Sequence, residues 1–169
     1  PATAYEPLPL GRAREGWDGL SRAQGILWTK CNLGAERPEL SLPPGKRVFH
    51  FDVGLKTEAI EGKALLVSGI ARPESFRALV RESSPGLPFE TMEFRDHHPY
   101  DPADAERILS KARSMGASVV LTTEKDEVKL RSLWTGSSPT LLALPLEVRL
   151  RESVESFYEF LREPLDQRT

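Results

Sequence analysis

Five consecutive positions, Asp96-His97-His98-Pro99-Tyr100, gather a carboxylate, two imidazoles and a phenol, and they hold two of the three histidines in the chain. An unperturbed imidazole titrates near neutrality, so one of these histidines can transfer a proton or stabilise and orient a catalytic carboxylate. The Asp-His-His set also has the donor chemistry of a zinc or manganese site. A plainer reading stands beside both: Asp96 caps a turn and the histidines hydrogen-bond backbone. A metal site needs further ligands; His50 lies on another expected strand, and no Cys-x-x-Cys or His-x-x-x-His pattern supplies them. Thr122-Thr123-Glu124-Lys125-Asp126 combines two hydroxyls, a helix start and a lysine. It can hold a phosphate or carboxylate, or simply cap a helix below a solvated Lys125. Arg72, ahead of Pro73, is either an anion clamp or a surface arginine before a Pro-initiated helix.

These loops need a frame, and the patterning supplies one. Ala64 to Val67 is a continuous apolar run, the form of a strand covered on both faces. Pro73 opens a helix whose stripe is Phe76, Leu79 and Val80, and Pro85-Gly86 breaks it. Phe89 to Phe94 is the next strand. Asp101-Pro102 starts a helix with Ala105, Ile108, Leu109 and Ala112 at helical spacing and Gly116 at its C-cap. Ser118 to Leu121 is a strand, and Thr123 with Asp126 has capping-box spacing for a helix to about Ser132. Leu141 to Leu144 and Leu146 to Leu150 read as strands around Pro145. Val154, Phe157, Tyr158 and Leu161 mark a last helix that Pro164 is expected to end.

Alternating strand and helix from residue 64 to 163 predict an α/β fold, a mostly parallel sheet flanked by helices in a Rossmann-like three-layer arrangement. Right-handed crossovers then bring all three polar loops to the rim at the strands' carboxyl ends, where ligands of open α/β sheets bind. Ahead of this lies an irregular and strand-bearing extension. Residues 1–24 are irregular, Gly25 to Thr29 and Arg47 to Val53 are strands, and Gly34 to Lys46 is a Pro/Gly-rich linker. His50 is expected on the exposed side of an edge strand. The boundary falls near residue 60, giving a connecting segment over 1–60, with strands near 25–31 and 47–53, and an α/β domain over 61–169.

Composition narrows the function classes. The 169 residues are 39% hydrophobic and 28% charged, enough apolar matter for a core and too balanced for a disordered or fibrous chain. Lys+Arg total 23 against 25 Asp+Glu, so there is no basic excess of the kind nucleic-acid binding needs. No apolar run reaches the ~20 residues of a membrane span. One cysteine, Cys31, excludes an internal disulfide framework and fits a reducing compartment. Gly45-Lys46 and Gly62-Lys63 are the only Gly-Lys pairs, and neither precedes Ser or Thr, so no Walker A phosphate cradle is present. A start at Pro1 without methionine suggests a piece of something longer.

Gly69-Ile70-Ala71-Arg72-Pro73-Glu74-Ser75-Phe76, then Phe94 to Tyr100, then Leu121 to Leu130 resemble, in order, the carboxy-terminal half of the tetraacyldisaccharide 4'-kinase family of Gram-negative bacteria. Leu8 to Glu15 with Ala23 to Asn32 is similar to the stretch after that family's nucleotide-binding elements; Ala71 departs from its usual glycine. The resemblance implies transfer of the ATP γ-phosphoryl, with Mg²⁺, to the 4'-hydroxyl of a lipid-linked disaccharide in lipid A biosynthesis, at the cytoplasmic face of the inner membrane. It implies that the P-loop and the catalytic aspartate lie in an amino-terminal lobe facing this chain. It further implies that His97, with Asp96, serves catalysis by supporting that aspartate. Arg72, Thr123, Lys125 and His98 are the candidate substrate or phosphate contacts, and no metal ligand is assigned. On this reading the chain alone neither turns over nor binds ATP tightly. A metal-dependent phosphoesterase using Asp-His-His and a non-catalytic α/β interaction domain remain as alternatives.

Overall fold

A computed structural model describes residues 13–33, 42, 44–56, 59–136 and 138–166, with side chains to residue 163. The irregular stretch expected over 1–24 is therefore seen from residue 13 onward, and most of the Gly34–Lys46 linker lies outside the described residues. By its contacts the chain divides into two units, residues 53–148 and residues 1–52 with 149–169. This grouping differs from a single break near residue 60, because residues 149–169 join the amino-terminal unit.

The unit of residues 53–148 carries the three polar loops. Its elements are β3 (Ala64–Ser68), α1 (Pro73–Ser83), β4 (Phe89–Glu93), α2 (Pro102–Ser114), β5 (Val119–Thr122), α3 (Glu124–Leu130) and β6 (Thr140–Ala143). Here β1 (Gly25–Thr29) and β2 (Arg47–Leu55) precede them in the chain, and β7 (Leu146–Leu150) and α4 (Val154–Asp166) follow. The order β4-β3-β5-β6 makes a four-stranded sheet in which every pair is parallel, as expected of an α/β fold. All five residues of β3 are buried, so both faces of this central strand must be covered. On one face Leu65, Val67 and Val120 pack with Ile108 and Ala112 of α2 and Leu130 of α3. The chain steps one way from β3 to β4 and the other way from β4 to β5 and β6, so right-handed crossovers place α1 on the opposite face. Its buried residues are Phe76, Leu79 and Val80, the stripe expected from the sequence.

The local chemistry that starts and stops these helices is as read. Pro73 and Pro102 occupy first-turn positions, where the missing N–H has no intrahelical acceptor to lose. Asp101 caps α2 by accepting from the Asp104 N–H at 2.8 Å. α3 is shorter than expected, ending at Leu130 with a 3-10 turn over Arg131–Leu133.

The other unit is built on a three-stranded sheet in the order β1-β2-β7. β1 and β2 are parallel. Arg151 N–H to His50 O and Lys56 N–H to Pro145 O count in opposite directions, so β7 runs antiparallel to β2. His50 thus sits on a central strand. Its Nδ1 lies 2.7 Å from Glu152 Oε1 and its backbone N–H donates to the same carboxylate, which corrects the exposed-edge reading. α4 runs to Asp166, past Pro164; a proline so near the end disrupts the last turn alone. Its inward residues are Phe157 and Phe160, whose rings pack on Phe49 at 4.9 and 5.2 Å, whereas Val154, Tyr158 and Leu161 are exposed. Among the described residues no helix is long and apolar enough to cross a membrane.

Candidate functional site

Register aligns Ser68 with Glu93 and Val67 with Thr122, so β3, β4 and β5 end within a residue of one another and their loops leave from one rim. β3 feeds a helix on one face and its neighbour β5 feeds a helix on the other. The β3–β5 junction is therefore the switch point of the sheet, where a crevice opens in doubly wound folds.

Gly69 occupies that junction and ties the loops together. Its N–H donates to Asp126 Oδ2 at 2.9 Å, and its carbonyl accepts from the His97 N–H at 3.0 Å. Phe94 N–H likewise donates to Ser68 O at 2.8 Å, folding the β4 loop over the end of β3. The glycine answers to crowding. A Cβ here would meet Tyr100 Oη at 3.0 Å, Asp126 Oδ1 at 3.2 Å and Arg95 O at 3.3 Å.

The two histidines part ways at a turn. His98 N–H donates to Arg95 O at 3.1 Å, closing a β-turn whose third residue is His97 at φ 57°. That left-handed conformation suits glycine best, with asparagine, aspartate and histidine the side chains that enter it most readily. The His97 ring projects outward, 83% exposed, with Nε2 3.9 Å from Asp96 Oδ2. His98 turns inward. Its Nε2 lies 2.6 Å from Asp104 Oδ2, and its ring packs tilted on Phe94 at 4.7 Å and edge-to-face on Tyr100 at 5.0 Å. That hydrogen bond, opposed by burial and helped by the Asp101 backbone N–H and the Arg107 charge, holds the Asp104 carboxyl below its usual range. Burial first, then the Asp126 and Asp104 carboxylates, push the Tyr100 phenol well above its ordinary value, so it stays neutral.

Asp126 is fully buried on α3. Besides the Gly69 N–H, its Oδ2 accepts from the Thr123 hydroxyl at 2.9 Å, while the Asp126 N–H donates back to Thr123 Oγ1 at 3.2 Å. Lys129 Nζ donates to His98 O at 3.1 Å and lies 3.6 Å from Asp126 Oδ1 and 5.8 Å from the Tyr100 ring centroid. The Thr123 hydroxyl is thus engaged within the cap. Arg72, on the loop after β3, and Lys125, in the first turn of α3, are both exposed. The rim brings Arg72, Asp96, His97 and Lys125 to one edge of one sheet and turns His98 and Thr123 into its fabric.

Asp126, Asp104, Tyr100 and Lys129 were not among the residues singled out for the site. Tyr100 had its place in the dense loop and Asp126 its spacing from Thr123, which pointed to a cap; Asp104 and Lys129 had no such signal. The capping box is altered: the acid reaches Gly69, 57 positions away, instead of the Thr123 N–H. Among the described residues no three His, Cys, Asp or Glu side chains gather as a metal-holding group.

Comparison with known proteins places the chain among relatives. A family model described as tetraacyldisaccharide-1-P 4'-kinase matches residues 2–166. A tetraacyldisaccharide 4'-kinase of Bdellovibrio bacteriovorus is 38% identical over 161 residues, covering 85% of this chain and 47% of that protein. One from Geobacter metallireducens is 34% identical over 134 residues, 73% of this chain and 39% of its own. One from Koribacter versatilis is 32% identical over 157 residues, 92% and 47% respectively. The chain spans about half the length of the curated relatives it matches. No solved structure matches it. With one family description covering nearly every residue and relatives of that same name aligned through all three rim loops, the chain belongs to the tetraacyldisaccharide-1-P 4'-kinase family.

Proposed function

We propose that this chain is the carboxy-terminal part of an enzyme that transfers the γ-phosphoryl of ATP to the 4'-hydroxyl of tetraacyldisaccharide 1-phosphate in lipid A biosynthesis. In this reading ATP and Mg²⁺ are held by an amino-terminal P-loop lobe at the cytoplasmic face of the inner membrane. The present chain contributes a rim. His97, with Asp96 beside it, is offered from that rim to orient and stabilise the carboxylate that accepts the hydroxyl proton. Arg72 and Lys125 add positive charge where phosphate oxygens pass. Phosphoryl transfer depends chiefly on positioning and charge stabilisation, so a domain without a nucleotide cradle can still govern the rate.

One observation carries the reading: His97 occupies the left-handed position of a turn, and its imidazole is exposed instead of serving the fold. Glycine or asparagine would serve that turn at least as well, so the fold does not call for an imidazole here. The test is His97→Asn in the full-length protein. Turnover should fall about 10²-fold or more, the usual worth of a proton-transfer partner. Stability of the chain should hold, since asparagine suits the turn as well. Turnover within threefold of the parent would return His97 to a purely structural role. Unchanged chemistry after neutralising Arg72, His97 and Lys125 together would favour an interaction domain.

A further inference from the structure

We infer that Asp126 is a positioning residue, a buried carboxylate that locks the loops after β3, β4 and β5 in register and so fixes where His97 stands. The inference rests on the proposed role of His97. Its first support is connectivity. Asp126 Oδ2 holds the Gly69 N–H at 2.9 Å, and the carbonyl of Gly69 holds the His97 N–H at 3.0 Å. One residue therefore separates the carboxylate from the left-handed turn.

The second support is that the carboxylate touches each arm of the rim. Through Thr123 Oγ1 it is fastened to the end of β5, and through the ammonium of Lys129, 3.6 Å from Oδ1, it reaches the His98 carbonyl in the β4 loop. Oδ1 is buried without a hydrogen bond of its own and has the Lys129 ammonium as its counter-charge. Asp126 is 0% exposed, and a buried carboxylate is tolerated only where donors and a cation surround it. Here those donors are the loops themselves, so the charge that needs them also holds them.

The third support is chemical specificity. An asparagine can still accept from Gly69 and Thr123 through its carbonyl. Its amide would then turn two N–H donors toward the Lys129 ammonium, setting donor against donor. The position thus calls for a carboxylate, and Asp126→Asn is a sharp probe.

The experiment has two arms. In the 169-residue chain, amide hydrogen exchange of Asp126→Asn should show Gly69 and His97 losing protection by about tenfold or more, as local opening of one segment does. The amides of Leu65 and Ile108 in the core should keep theirs. In the full-length protein the same change should lower kcat by about 10-fold to 10²-fold, the cost of a misplaced group, with KM for ATP held within twofold. Global loss of protection, Leu65 and Ile108 included, would hand the test to Thr123→Val, which removes one donor and keeps the charge. That variant should show the same pattern at smaller amplitude. Unchanged exchange at Gly69 and His97 in a folded variant overturns the lock. A kcat within twofold of the parent, while His97→Asn is impaired, overturns the positioning role and leaves the proposed function standing. If His97→Asn is itself silent, the proposed function fails and the exchange arm alone judges the lock.

Discussion

Replacing Gly69 by alanine tests the closeness of the rim with one methyl group. The glycine is not in the left-handed region, so alanine can adopt its backbone, and the outcome turns on space alone. Ordinary contact for a Cβ begins near 3.4 Å, and the three neighbours stand at 3.0, 3.2 and 3.3 Å. The new methyl is therefore short by about 0.4, 0.2 and 0.1 Å on three sides at once. None of the three yields freely. Arg95 O is the acceptor of the turn that carries His97, Asp126 is pinned by two hydrogen bonds, and the Tyr100 ring packs edge-to-face on His98. Overpacking of this kind costs about 1–3 kcal/mol. Gly→Ala recovers about 0.4–1 kcal/mol by narrowing the unfolded ensemble. The net expectation is a loss of about 1–2 kcal/mol, read by urea unfolding of the chain. Removing the nearest obstacle should relieve it: with Tyr100→Phe in the background, Gly69→Ala should cost about 0.5–1.5 kcal/mol less, a coupling typical of residues in contact. A neutral or stabilising Gly69→Ala, or one indifferent to Tyr100→Phe, would show that the loops are not held as described.

The His98–Asp104 pair predicts an acid limb in stability. Asp104 has a lowered folded-state pKa, so its contribution is complete above the ordinary carboxylate range and is lost as pH falls through that lowered value. Asp104→Asn should flatten the pH dependence of urea unfolding on the acid side, and an unchanged slope there would remove the pair from the account. The chain by itself should show no 4'-kinase turnover and no tight ATP binding by calorimetry, since it lacks the Gly-x-x-x-x-Gly-Lys cradle. Turnover by the purified chain would refute the division of labour between lobes.

What the sequence made legible was local. The Ala64 to Val67 run, the Asp101-Pro102 start of α2 and its Ile108–Leu109–Ala112 stripe place the sheet and its helices to within a residue or two. The rim followed from handedness, which needs only the order of elements. Three things were not legible. Phe157 and Leu161 looked like one stripe on α4, yet the helix turns so that Phe160 joins Phe157 inside. Periodicity fixes a helix but not which of two overlapping apolar faces meets the sheet. His50 alternated like an edge residue because β7, nearly a hundred residues later, is what makes β2 central. Asp126 and Gly69 are joined across 57 positions, and no local pattern signals such a bond.

Adjacent histidines with opposite fates show how the rim divides its labour. Left-handed backbone at His97 breaks the usual sequence of side-chain directions, so His97 projects into solvent while His98 points back to Asp104. The structural demands of the loop are met from within: His98 on Asp104, Lys129 on the His98 carbonyl, Thr123 on Asp126. Having met them, the loop has no packing reason to prefer an imidazole over asparagine at position 97, whose ring is 83% exposed. That is why His97→Asn separates function from folding more cleanly than any change at His98, whose loss would take Asp104, the Tyr100 contact and the rim with it.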